Sequence, residues 1–348
     1  SNTPEFGAGA NTFNEVFGRT LNPWNIARSA AGSSGGAAVA LATGTAWLAH
    51  GSDLGGSLRN PASFCGVVGM RPSPGRVAAS VHSKIDSTLG IEGPMARNVE
   101  DLALLFDAMV GEEPADPLSL PSDGTSYLKA ARSGWKPKRV AISRDLGISP
   151  VDPEVAEIVL KAARQFEQAG VIVEETHPDF HEAMECAQTL RALSYAVGMR
   201  SLLENHRGHL KPEVIWNIEK GLALTGAQIS RAEAQRGAMF QRARTFFETY
   251  DLLLCPTTIV PPFPVEQRYV TECNGTKFET YVDWLLIVSA ITLVPCSAIS
   301  IPAGFHKERL LAGIQVVTAP RGDARLLACS QTPQVTHGFG PTHTSITR

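Results

Sequence analysis

Two glycine-bracketed serine segments constrain this chain more than any other feature: Gly32-Ser33-Ser34-Gly35-Gly36, and Asp53-Leu54-Gly55-Gly56-Ser57-Leu58-Arg59. Glycine permits a left-handed backbone and close approach, so a serine set among glycines sits on a turn reachable from several sides. N–H groups on such turns stay outside any ladder and make an anion-binding concavity. Ala37 to Thr43, between the turns, is small-residue and helix-compatible. A turn, a helix and a second turn can bring two hydroxyls together beside free backbone donors. That arrangement suits acyl transfer through a serine ester.

The bulk of the chain fits an enzyme of ordinary globular type. Its 348 residues are 43% hydrophobic, enough for a large core. A net charge of −3 leaves no electrostatic footprint for nucleic acid or an anionic membrane. The richest apolar stretch, Trp284 to Pro295, is too short to span a bilayer. The polar opening Ser-Asn-Thr-Pro is not a secretory leader. Six cysteines (65, 186, 255, 273, 296 and 329) are scattered with no C-x-x-C pair, so we expect small core residues in a reducing cytoplasm.

The first thirty residues, rich in Asn, Gly, Pro and Thr, read as an irregular covering segment. Short apolar runs at Ala46 to His50 and Cys65 to Met70 predict strands, and Val99 to Val110 predicts a helix. Residues 114–135 read as a loop. Arg139 to Ser143, Pro153 to Ala169 and Val171 to Glu175 make one β-α-β period, the mark of a partly parallel sheet. Phe180 to Tyr250 is mainly helical with breaks near Gly208, Pro212 and Gly226. Strands follow at Asp251 to Cys255, Ala298 to Pro302 and Leu311 to Thr318, with a helix from Tyr281 to Leu293. Asn274-Gly275 is a hairpin signal.

The order NPWNIARSAAGSSGGAA, HGSDLGGSLRNPASFCGVVGMRPSPGRV, GPMARNVEDLALLFDAM, DLLLCPTT and SAISIPAGF resembles the amidase signature family over residues 1–328. The resemblance implies an α/β fold: a single large twisted, mixed but mostly parallel sheet covered by helices, with both serine turns beside its centre. Residues 1–328 would form the domain and 329–348 an irregular tail. It also implies that Ser57 is the nucleophile and Ser33 a bridging serine after a cis peptide. Backbone N–H groups of Leu54, Gly55, Gly56 and Ser57 would form the oxyanion hole. Ser34 would support the turn, and Asp53 and Arg59 would pair or cap across it. Substrate would enter near Gly7 and the 281–295 helix. No metal or cofactor is called for.

The family's remaining element is a neutral buried lysine upstream of the first serine turn. No lysine precedes Ser33 here; the first is Lys84, in a polar loop, and the others lie in charged helix or loop contexts. A lysine ordinarily titrates near pH 10.4 and needs strong desolvation to act as a base at neutral pH. Because the chain opens on Ser1 rather than Met, we expect the lysine-bearing segment to lie outside it, and the chain as given to have little or no amidase activity.

Other motifs have blander explanations. Gly32 to Gly36 also satisfies G-x-S-x-G, which would make Ser34 a nucleophile, but the polar Asn25 to Ala30 run is a poor strand to precede that elbow. Ser126-x-x-Lys129 reads as a helix cap. His206 and His209 lack a third ligand, and His181-Glu182 lacks the second histidine of a zinc site. Tyr281, Trp284, Leu285 and Val288 form an apolar stripe that either packs the core or lines an acyl pocket.

The expected activity is cofactor-free hydrolysis of a small-molecule carboxamide through an acyl-Ser57 intermediate, with a homodimer as the oligomer to test. Two alternatives stand beside it. One is the glutaminase subunit of a tRNA-dependent amidotransferase; the other is a non-catalytic binding protein that keeps the oxyanion pocket.

Overall fold

A computed structural model describes residues 1–79 and 87–330. Lys84 and residues 331–348 lie outside the described residues. Strands β1 (Leu48–Asp53), β2 (Val68–Arg71), β3 (Ile91–Ala96), β4 (Arg139–Ile142), β5 (Ile172–Glu175), β6 (Leu252–Pro256), β7 (Ala298–Phe305) and β8 (Leu311–Val317) build one 8-stranded sheet. Helices α1 (Gly35–Ala42), α2 (Arg59–Cys65), α3 (Val99–Met109), α4 (Pro153–Gln168), α5 (Ala183–His206), α6 (Pro212–Leu222), α7 (Gly226–Phe246), α8 (Leu286–Leu293) and α9 (Asp323–Ser330) surround it.

The strand order is β1-β3-β2-β7-β8-β6-β4-β5. The expected large mixed sheet covered by helices is there, but its parallel share is smaller than expected. Only β6–β4 and β4–β5 pair parallel; every other pairing in the sheet is antiparallel. The parallel pairs adjoin the one β-α-β crossover, through α4. Elsewhere, strands such as β7 and β8 are joined by a short turn, which forces antiparallel pairing.

Side chains alternate across a strand, so each face of the sheet has its own core. Leu253, Cys255, Ala298 and Val317 face a core shared with α5, α7 and α8. Leu252, Leu254, Ile299, Ile314 and Val316 face the other, shared with α3, α4 and α9. All six cysteines are buried, and burial pushes their thiols up, Cys186 and Cys255 to about 12.

Three local expectations need correction. Strand β3 escaped notice because Gly93 and Pro94 interrupt its apolar pattern; a Cβ on Gly93 would lie 2.4 Å from the Met70 carbonyl oxygen, so close strand approach demands the glycine. Cys65 ends α2 rather than beginning a strand, since left-handed Gly66 (φ 68°) stops the helix before β2 starts. Cys329 and Ser330, expected to open an irregular tail, are instead buried in α9. Asn274 (φ 46°) and Gly275 (φ 80°) do turn a hairpin, and Ser126 Oγ caps its helical turn by accepting from the Lys129 N–H.

Candidate active site

The Ser57 turn leaves the end of β1, an edge strand among the described residues, and runs into α2, which lies across β2, β7 and β8. Asp53, the last residue of β1, organises it. Its carboxylate accepts from the N–H groups of Gly56 (3.0 Å) and Leu58 (3.2 Å). It also takes a two-pronged contact from Arg59, Nε at 3.0 Å and Nη2 at 2.8 Å. Arg59 then crosses to α8, donating to the Val288 carbonyl (3.1 Å) and Thr292 Oγ1 (3.0 Å), and to Gln315 Oε1 on β8. Arg71 donates to the carbonyls of Asp53, Leu89 (2.8 Å) and Thr88 (3.1 Å), and its guanidinium lies 3.6 Å from the Asp53 carboxylate.

Asp53, Arg59 and Arg71 are all fully buried. Burial alone would raise the Asp53 carboxyl; the Arg59 charge and hydrogen bonds, then Arg71 and the Gly56 N–H, outweigh it and hold the group down to about 2. One carboxylate against two guanidiniums leaves a net positive charge directly behind the turn.

Gly56 is therefore not an open donor, because its N–H is engaged by Asp53. This corrects the four-donor expectation: among the described residues, the N–H groups of Leu54, Gly55 and Ser57 have no acceptor. Gly56 instead serves as pivot. Its φ is +88°, and a Cβ there would lie 2.6 Å from Val288 Cγ2 and 2.8 Å from the Asn60 amide. Gly56→Ala should displace the turn and lower the rate of any acylation there on the order of 10²-fold, measured as the first-order rate of adduct formation.

The Gly32–Ser33 peptide is cis. The Ser34 N–H donates to the Ser57 carbonyl (3.2 Å), tying the two serine turns together. A Cβ on Gly51 of β1 would meet Ser34 Oγ at 2.4 Å, so Ser34 packs against the strand that delivers the Ser57 turn. The N-terminal segment covers the other side: Thr12 Oγ1 donates to the Ala31 carbonyl (2.8 Å), and a Cβ on Gly7 would lie 3.6 Å from Ser33 Oγ. Ser33 is buried, whereas Ser57 and Leu54 are partly exposed.

A cavity opens on the Leu54–Gly55 side of the turn, lined on one wall by Val282, Leu285, Ser289 and Thr292. Trp284 of the same stripe is buried against Phe263, so the stripe divides between core and pocket. Arg191 of α5 also lines the cavity and was not singled out from sequence; no local motif marks it, since it meets the turn only through the tertiary fold.

Fold and relatives together define a hydrolase acting on amide bonds. A model of the Amidase family matches residues 1–327. An acylamidase of Rhodococcus erythropolis is 37% identical over 330 residues, 94% of this chain and 69% of that protein. A glutamyl-tRNA(Gln) amidotransferase subunit of Moorella thermoacetica is 34% identical over 350 residues, with coverages of 94% and 70%. The crystal structure of a bacterial aryl acylamidase of the amidase signature enzymes superposes with a TM-score of 0.89 at 27% identity, covering 96% of this chain and 71% of that one. The chain belongs to the Amidase family.

Proposed function

We infer that Ser57 carries the acyl group in hydrolysis of a carboxamide. Ser57 Oγ gives its proton toward Ser33 and bonds to the substrate carbonyl carbon, whose oxygen becomes an anion. The C–N bond then breaks, and the nitrogen leaves with the proton as ammonia or an amine. Water next attacks the ester, releasing a carboxylate and restoring the Ser57 hydroxyl. The observation that carries this is the Asp53-fixed turn, which presents open Leu54, Gly55 and Ser57 N–H groups beside a partly exposed serine. Such preformed donors stabilise the oxyanion without reorganising, and the buried positive excess adds to them.

Among the described residues the proton relay is less complete. Lys211 reaches the glycine loop beside Ser33, but its Nζ donates to the Ala8 carbonyl (2.8 Å), stacks on Phe13 (4.5 Å) and lies 4.0 Å from Glu213. Burial lowers its pKa against the opposing pull of Glu213, and its Nζ is committed to the Ala8 carbonyl and the Phe13 ring. This chain by itself should therefore turn over a simple amide such as butyramide slowly or not at all, measured by ammonia release. Robust turnover would overturn the expectation. The glutaminase alternative is supported by the likeness to the glutamyl-tRNA(Gln) amidotransferase protein; ammonia release from glutamine that depends on added partner proteins would favour it.

A further inference from the structure

Arg191 is a buried cation without an anion among the described residues. It is 7% exposed, and among the described residues no carboxylate pairs with it. Its Nε donates to Tyr281 Oη (3.2 Å), and its Nη2 to Tyr281 Oη (2.8 Å) and Tyr195 Oη (3.2 Å). Both rings also lie under the guanidinium, at 5.1 Å for Tyr195 and 5.4 Å for Tyr281. Nη1 has no hydrogen-bond partner among the described residues, and it lies 3.6 Å from where a Gly55 Cβ would be. The contrast with Arg59 and Arg268 is plain, since each of those meets a carboxylate. Burying a charge is costly unless it is paired, and stacked tyrosines compensate only part of that cost.

The rest of the cavity tells what would complete the site. Among the described residues its other polar side chains are the hydroxyls of Ser289 and Thr292, and no Asp or Glu lines it. Leu54, Leu89 and Leu293 make its apolar walls. A ligand here meets the open Nη1 end of one guanidinium, the Ser289 hydroxyl and hydrocarbon, immediately beside the acyl-transfer turn, the Thr292 hydroxyl being already bonded to Arg59 and the Val288 carbonyl. We propose that Arg191 recognises a carboxylate on the acyl side of the substrate, so that the chain takes monoamides of short dicarboxylic acids. This rests on the assignment of Ser57 as the acyl carrier. An amino-acid amide such as glutamine fits less well, because its ammonium would enter a site with a guanidinium and, among the described residues, no acid.

The Tyr195 hydroxyl donates to the Phe6 carbonyl (3.0 Å), in the loop whose Gly7 lies against Ser33. Arg191 is thus anchored to the same frame that holds the reacting groups, and a carboxylate bound to it would fix the distance of the scissile carbonyl from Ser57.

The test is equilibrium binding, which needs no turnover. Succinamate, butyramide and glutamine are titrated by calorimetry into the wild-type chain, Ser57→Ala, Arg191→Met and Arg191→Lys. A charge-assisted hydrogen bond in a buried site predicts that wild type binds succinamate roughly ten- to a hundredfold tighter than butyramide, its near-isosteric neutral analogue. Glutamine should bind more weakly than succinamate. The preference should vanish in Arg191→Met and survive in part in Arg191→Lys. Equal binding of succinamate and butyramide by wild type overturns the proposal without any variant, as does a preference that persists in Arg191→Met. Ser57→Ala should keep the full preference; the nucleophile is read separately, from covalent labelling of the wild-type chain by an activated ester, so a misassigned nucleophile and a misassigned anion site give different results.

Discussion

Ser57→Ala should abolish formation of a covalent acyl adduct with an activated ester, lowering its rate on the order of 10⁴-fold or more. The size follows from chemistry rather than from folding. Removing Oγ deletes the atom that would form the ester, and water held in its place lacks the positioned attack. The Asp53 contacts to Gly56, Leu58 and Arg59 do not involve the Ser57 side chain, so the turn and the thermal stability should stay near wild type. The check is the paired measurement of adduct formation and melting temperature. Loss of both together would mean that Ser57 is structural.

Arg59→Met should be the most destabilising single change at the site, by about 3–5 kcal/mol, because it leaves the Asp53 carboxylate in a fully buried position with its strongest partner gone. Arg71, 3.6 Å away, remains but offers no fork to it. For a chain of this length the melting temperature should fall about 5 °C. The same change cuts the links to Val288, Thr292 and Gln315, so α8 loses its anchor on the Ser57 turn.

The pH dependence has a definite sign. In the wild type the folded carboxyl is held down to about 2, below its ordinary 3.8, so its contribution to stability is present above about pH 4 and is lost as pH falls through about 2. Without Arg59, burial raises that carboxyl, and the penalty at neutral pH is relieved on protonation. The stability gap between wild type and Arg59→Met should therefore be widest near pH 7 and shrink below pH 4. Denaturant unfolding across pH checks it; a gap constant with pH would assign Arg59 a packing role alone.

Sequence reading reached the parts of the fold whose signals are local. Helix α4 is announced by Asp152-Pro153 at its start and Gly170 at its end, and the Asn274-Gly275 hairpin by its turn residues alone. The serine turns were legible for the same reason, as glycines mark where backbone must approach closely. What escaped depends on distant partners. Strand β3 is held by β1 and β2 despite an interrupted pattern, and the sheet's mainly antiparallel pairing follows from which strands meet, not from any one segment. The Gly56 N–H could not be discounted as an open donor without seeing the Asp53 carboxylate turned onto it. Arg191 sits mid-helix in a stretch that reads only as helical, and its lack of a carboxylate partner among the described residues is visible only once Tyr195, Tyr281 and Gly55 surround it.

Peptide-level mass spectrometry of the wild-type chain after reaction with an activated acyl ester such as p-nitrophenyl butyrate tests the central claim most directly. A single adduct on the peptide holding Ser57, absent from Ser57→Ala, is the predicted result. An adduct on Ser33 or Ser34 instead, equal labelling of Ser57→Ala, or no adduct at all would contradict it.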